Sequence, residues 1–271
     1  MRLAVAGGFR SDRMAFAVAS GYQAALRHLP FGIGSHELAA FCVTEAAGAH
    51  PRQIQTVLAH GRINGEKRYT SLLPIASTLL VVARRGVRPD GRPDLCVVKL
   101  CANAPGVERR PMPPTPFCPE LPHGITRMKD VSVGNDMVLM GDGFRDFVKP
   151  FRTVEDLHVT GAVAGFLSRQ AITGGWPDRI AERLLAVIAT LDSLARAEPT
   201  TATTHLAVAG TLSMLDELSA ELPTIWSASD EQGARRFNRD APILGLLSKV
   251  RQRRRQRAWS LIGRPVAEDA S

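Results

Sequence analysis

The chain has 271 residues, with 34 Lys or Arg against 26 Asp or Glu, a formal net charge of +8. Its 45% hydrophobic and 22% charged residues are globular proportions, which exclude a disordered, collagen-like or coiled-coil chain. The longest apolar runs, such as Leu79–Ala83, fall far short of the roughly 20 residues of a membrane span. The four cysteines show no C-x-x-C pair and no metal-ligand spacing with the histidines. A soluble, cytoplasmic protein with reduced thiols and no metal site is the expectation.

Composition divides the chain into an N-terminal helical segment (1–36), a β segment (37–149), a helical segment (150–263) and a tail (264–271). In the first, Ser11 stands as an N-cap, and Met14, Ala17, Val18, Tyr22, Ala25 and Leu26 keep a helical period up to Pro30. In the second, β-prone runs at 38–43, 78–82, 95–100 and 137–140 alternate with turn signals at Asn64-Gly65, Pro89-Asp90-Gly91, Pro105-Gly106 and Asp142-Gly143. Six prolines between Pro111 and Pro122 exclude a helix there. The third reads as four helices: 154–168 closed by Gly174-Gly175, 177–196, 203–222 stopped by Pro223, and a last one capped by Asp240 and running through Trp259. The fold class is therefore α+β, an antiparallel β-barrel-like middle domain followed by a C-terminal four-helix bundle.

The seams of this arrangement carry specific strings. Val43-Thr44-Glu45 precedes a Gly-containing loop, and Asn64-Gly65-Glu66-Lys67-Arg68-Tyr69-Thr70-Ser71 follows it. Further on come Met128-Lys129-Asp130-Val131-Ser132-Val133 and Gly141-Asp142-Gly143. In this order the strings resemble the middle domain of the acyl-CoA dehydrogenase flavoproteins, where the pattern reads V-T-E, N-G-x-K-x-W-I-T, F-x-x-V-x-V and G-x-G. The resemblance implies FAD as cofactor. It places Thr44 at the flavin ring, and Tyr69 and Ser71 where the family's Trp and Thr lie against the isoalloxazine. Read by themselves, Tyr69 and Ser71 are equally well ordinary strand residues.

The chain also departs from the family. The G-S-D of the loop after V-T-E becomes Gly48-Ala49-His50, and the R-x-x-F-G and Q-x-x-G-G strings are missing. The segment before the β domain is shorter than the family's N-terminal helical domain. In that family a carboxylate removes the α-proton of an acyl thioester while the β-hydride passes to flavin. The usual Y-E-G-T string that supplies it is missing here, and the stretch after Asp240 offers no glutamate before Glu268. A minority of relatives place the base early in the first bundle helix, as E-R-L followed by Gly. Glu155-Asp156-Leu157, with Gly161 and Gly165, stands at that place and makes Glu155 the candidate base. Two readings of Glu155 stay open, because Thr153 and Asp156 also resemble a capping box and a first-turn acid is favoured by the helix dipole. His158 lies one turn on, within hydrogen-bonding reach of Glu155.

Arg251, Arg253, Arg254, Arg255 and Arg257 form a basic run at the end. They could serve the phosphates of CoA or FAD, or nucleic acid, but few aromatics interleave with them and there is no nucleic-acid-binding motif, so pairing with Glu182, Asp216 or Glu217, or a solvated face, is preferred to either. The expectation is a shortened acyl-CoA dehydrogenase-like enzyme acting on an acyl-CoA or acyl-carrier thioester. It would work as a homo-oligomer, or as a hetero-oligomer with a full-length relative. The alternative is a non-catalytic subunit or scaffold that has lost a complete FAD and acyl site.

Overall fold

The computed structural model describes residues 1–245 and 248–263, so the 264–271 tail, with Glu268, lies outside the described residues. The chain divides into two units. The first comprises Met1–Ala25, Pro116–Cys118 and the chain from Thr153 onward; the second comprises Leu26–Thr115 and Pro119–Arg152.

The second unit is built on seven strands: β1 (Ala39–Cys42), β2 (Val57–Ala59), β3 (Arg62–Ser71), β4 (Thr78–Val87), β5 (Pro93–Cys101), β6 (Val107–Pro111) and β7 (His123–Ser132). They form one sheet in the order β1-β4-β2-β3-β7-β6, with β5 on the other side of β4. Strand β4 takes β1 and β2 in parallel along one edge and β5 antiparallel along the other, so the sheet is mixed. The expected barrel does not close: β5 pairs only with β4, and β6 only with β7. At β6 the edge carries Pro111, which has no N–H to offer a further strand.

Leu79, Val81 and Ala83 of β4 alternate inward and pack with Cys96, Val98 and Leu100 of β5 and with Met128 and Val131 of β7. Phe31, Phe41, Phe147 and Phe151 form a second cluster, with Phe31 and Phe147 stacked at 5.3 Å and Phe41 and Phe151 edge-on at 5.0 Å. The run 137–140, expected as a strand, is a 3-10 turn at Asn135–Met137 and a single bridge from Val138 to Val98. Asn64-Gly65 is no turn either. It lies inside β3 at a register shift, where Gly65 has φ +152° and a side chain would run into Thr56.

The helical unit begins with α1 (Arg2–Arg10) and α2 (Met14–His28). Ser11, expected to cap α2, instead follows α1 and donates its hydroxyl back to the Gly7 carbonyl at 2.9 Å. The later helices are α3 (Lys149–Thr173), α4 (Asp178–Leu194), α5 (Ala202–Ser229), α6 (Glu231–Asp240), α7 (Pro242–Gly245) and α8 (Ser248–Leu261). Helix α5 packs against α4, α6 and α8. It runs through Pro223, because Leu215, Leu218, Leu222 and Trp226 form one buried stripe along it. Packing of that stripe outweighs the backbone hydrogen bond lost at proline. The helix expected from Asp240 through Trp259 is described as α7 and α8, on either side of residues 246–247, and Asp240 closes α6 rather than capping that helix. Its carboxylate accepts from the Cys118 amide at 2.7 Å.

Helices α1 and α2 approach α3 through glycine. A side chain at Gly8 would overlap the Ala162 carbonyl, one at Gly165 the Val5 carbonyl, and one at Gly21 the backbone of Val159. Gly161 and Gly165, which match the spacing of the family's base-bearing helix, thus have a packing role against α1. Gly165→Ala should therefore destabilise the protein by about 1–3 kcal/mol. Gly210→Ala, on α5 with open space around it, should stabilise by up to about 1 kcal/mol. Urea denaturation of the two variants beside the parent checks both signs.

Candidate functional site

The two strings quoted from the β segment are tied by a buried ion pair. Lys67, on β3, has no exposed surface, and its ammonium donates to Glu45 Oε1 at 2.7 Å and to the Val43 carbonyl at 3.2 Å. The Glu45 carboxylate also accepts from the amides of Gln55 at 2.7 Å and Thr56 at 3.0 Å, and from the Thr56 hydroxyl at 2.7 Å. Burial works against both charges. Even so, the ammonium and these donors hold the Glu45 carboxyl below its ordinary value. On Lys67, burial pulls the ammonium down and Glu45 opposes it. Between Val43 and Glu45, the Thr44 carbonyl accepts from the Arg68 amide at 2.8 Å. Residues 43–45 are thereby fixed to residues 67–68.

This pairing decides where Tyr69 goes. In an uninterrupted strand Lys67 and Tyr69 would point to the same face, and Thr70 to the other. The register with β7 passes from Lys67↔Thr126 to Thr70↔Gly124, so β3 carries one extra residue there. The bulge lets Lys67 and Thr70 both turn inward, where Thr70 is 3% exposed. Tyr69 takes the left-handed region at φ +55° and stands 61% exposed. A non-glycine residue held at positive φ is strained, and such positions cluster at functional sites. Ser71, opposite His123, and Thr44 are half-buried. The structure thus gathers Thr44, Tyr69 and Ser71 on neighbouring segments of one unit, an aromatic face with two hydroxyl-bearing residues. In donor chemistry that set fits an isoalloxazine ring. A groove of about 600 Å³ on the β3–β7–β6 face is lined by Glu66, Glu108, Arg127 and Lys129, not by these three.

The loop that departs from the family is self-supporting. His50 Nδ1 accepts from the Arg52 amide at 3.3 Å, and the Gln53 side chain accepts from the His50 amide at 3.3 Å. His50 therefore caps the turn Pro51–Gln53.

Glu155 lies in the other unit, half-buried on α3. The capping reading fails, because α3 starts at Lys149 and Thr153, Glu155 and Asp156 lie past its first turn. The cap belongs to Asp142, ahead of a π-helical segment (Gly143–Val148) that leads into α3; its carboxylate accepts from the amides of Phe144 at 2.9 Å and Arg145 at 2.5 Å. Asp156, 2% exposed, receives the basic run: Arg251 donates to it at 2.9 and 3.0 Å, and Arg254 pairs with its other oxygen while also donating to the Thr153 hydroxyl at 3.2 Å. That pairing replaces the expected one with Glu182, Asp216 or Glu217. His158 is buried and donates Nδ1–H to the Val154 carbonyl at 2.8 Å.

No protein-family model and no curated protein sequence matches the chain. Solved structures do. The FAD complex of PigA matches with a TM-score of 0.71 at 14% identity, over 96% of this chain and 81% of that one. FkbI, for biosynthesis of the methoxymalonyl extender unit of a polyketide, matches with a TM-score of 0.72 at 17% identity, over 97% and 84%. Butyryl-CoA dehydrogenase from Megasphaera elsdenii matches with a TM-score of 0.69 at 15% identity, over 92% and 78%. The fold is acyl-CoA dehydrogenase-like, and the chain spans about four-fifths of the length of these structures.

The ion pair gives a signed pH dependence. Glu45's folded value lies below its ordinary 4.5, so its contribution to stability is present above that value and is lost as pH falls through the folded one. Lys67→Met should cost about 3–5 kcal/mol at neutral pH by stranding a buried carboxylate. The variant should then recover stability on acidification, as Glu45 takes up a proton, where the parent loses it. Urea titrations between about pH 7 and pH 4 separate the two slopes.

Proposed function

We propose that the chain is an FAD-binding flavoprotein that desaturates an acyl thioester in the cytoplasm, the acyl group being carried on CoA or on an acyl carrier protein. The observation that supports this best is the bulge in β3, which holds Tyr69 in a strained, outward conformation. When bound, FAD accepts the hydride that leaves the β-carbon. Tyr69 offers the ring a face to lie against, and Thr44 and Ser71 offer hydroxyls and backbone groups for its polar edge. Glu155 is the base that takes the proton from the α-carbon. Its place past the first turn of α3 frees it from capping.

Desaturation needs water kept from the reacting carbons. Tyr69 is 61% exposed, and a second subunit lying over the bound ring would complete the enclosure. The enzyme would then be an oligomer, either of this chain or with a full-length relative.

Purified protein should be yellow and carry FAD. Tyr69→Ala should weaken FAD binding by about tenfold, and Tyr69→Trp should keep it. Glu155→Gln should abolish bleaching of the flavin by acyl thioester while leaving the flavin spectrum in place; an unchanged bleaching rate removes Glu155 from the mechanism. Colourless protein that takes up no FAD, alone or with a full-length relative, leaves the non-catalytic subunit as the reading.

A further inference from the structure

The net charge of this chain is almost all in one segment. Residues 231–263 contain nine Lys or Arg and two Asp or Glu, so these 33 residues carry +7 of the total +8. The structure sorts the arginines of α8 by face. Arg251 and Arg254, with the buried Ala258, turn inward, and both guanidinium groups are spent on Asp156. Arg253 and Arg257 are exposed at i and i+4, and Leu261 continues their stripe at i+8 with 69% of its surface open. Arg255 is exposed as well, and Ile262, two turns further along its row, is 51% exposed.

None of Arg253, Arg255 and Arg257 has a carboxylate partner among the described residues, and α8 contains no acidic residue. Like charges at i and i+4 without a counter-ion destabilise a helix. Here Asp156 holds the helix in place from its other side. Two rows that begin in arginine and end in an exposed aliphatic side chain are suited to a surface with anions above and hydrocarbon beneath. An acidic protein or a nucleic acid would use the arginines but leave Leu261 and Ile262 in water.

We propose that the outer face of α8 docks on an anionic phospholipid bilayer, with Arg253, Arg255 and Arg257 at the headgroup phosphates and Leu261 and Ile262 entering the acyl boundary. The full chain should cosediment with vesicles of phosphatidylcholine containing about 30% phosphatidylglycerol at ~0.1 M salt, and not with pure phosphatidylcholine. The triple variant R253Q/R255Q/R257Q keeps the Asp156 pairing and should keep the parent's circular dichroism. Its partitioning should fall by about a hundredfold, at roughly fivefold per arginine. L261S/I262S should lower partitioning several-fold at unchanged charge. Failure to bind the anionic vesicles, equal binding to neutral ones, or indifference to the triple variant overturns the proposal. So does tighter binding to poly-L-glutamate that L261S/I262S leaves untouched, which would assign the face to an acidic protein.

Discussion

A lysine with no exposed surface, set against one glutamate, governs the β unit. Taking two charges out of water is unfavourable, and their attraction offsets the penalty only when the remaining valences are filled. Here they are: Glu45 accepts from Lys67, from two amides and from a hydroxyl, and Lys67 also reaches the Val43 carbonyl. The local consequences follow from geometry. With Lys67 committed inward, and Thr70 inward as well, β3 accommodates both by one extra residue, and Tyr69 is the side chain displaced to the outside. The strain at Tyr69 is sustained because the ion pair and the β7 register on either side over-determine the backbone.

In the helical unit the corresponding role belongs to Asp156. A buried carboxylate on α3 binds two guanidinium groups of α8, which explains why a helix with so many arginines lies against the bundle at all. In the E-R-L pattern that Glu155-Asp156-Leu157 resembles, the residue beside the glutamate is an arginine, so Asp156 has the opposite sign. The inward arginines of α8 answer that charge. The glycines of α3 answer a different constraint, the close approach of α1, so the similarity at Gly161 and Gly165 to a base-bearing helix rests on backbone packing.

What the sequence discloses follows the range of the forces involved. Strands β1, β4 and β5 are legible because their apolar runs are buried on the sheet, and α2, α3 and α4 because their apolar period and bounding Gly or Pro residues are local. Strands β6 and β7 are obscured by their charges: Arg127 and Lys129 face out of β7 while Gly124, Thr126 and Met128 are buried, and β6, with Arg109 and Arg110, has no fully buried residue. Asn64-Gly65 has the composition of a hairpin turn but lies within β3, opposite an extra residue of β7, with Thr56 of the segment before β2 packed against the glycine. Pro223 and Asp240 mislead for the same reason. A stripe of leucines carries α5 past the proline, and an amide more than a hundred residues away claims the aspartate.

The candidate site divides along the same line. The strings that resemble the flavoproteins contain Thr44, Tyr69 and Ser71 in plain view, but also Glu45 and Lys67, whose identity no local pattern distinguishes from solvated charges. In this chain the Lys67–Glu45 pair ties the N-G-x-K segment to V-T-E, whatever lies against the outward tyrosine. Similarity of the strings therefore argues for the bulge and its exposed aromatic residue. The strings say nothing of what covers that ring, which stands 61% exposed, because covering it depends on surfaces that neither string contains.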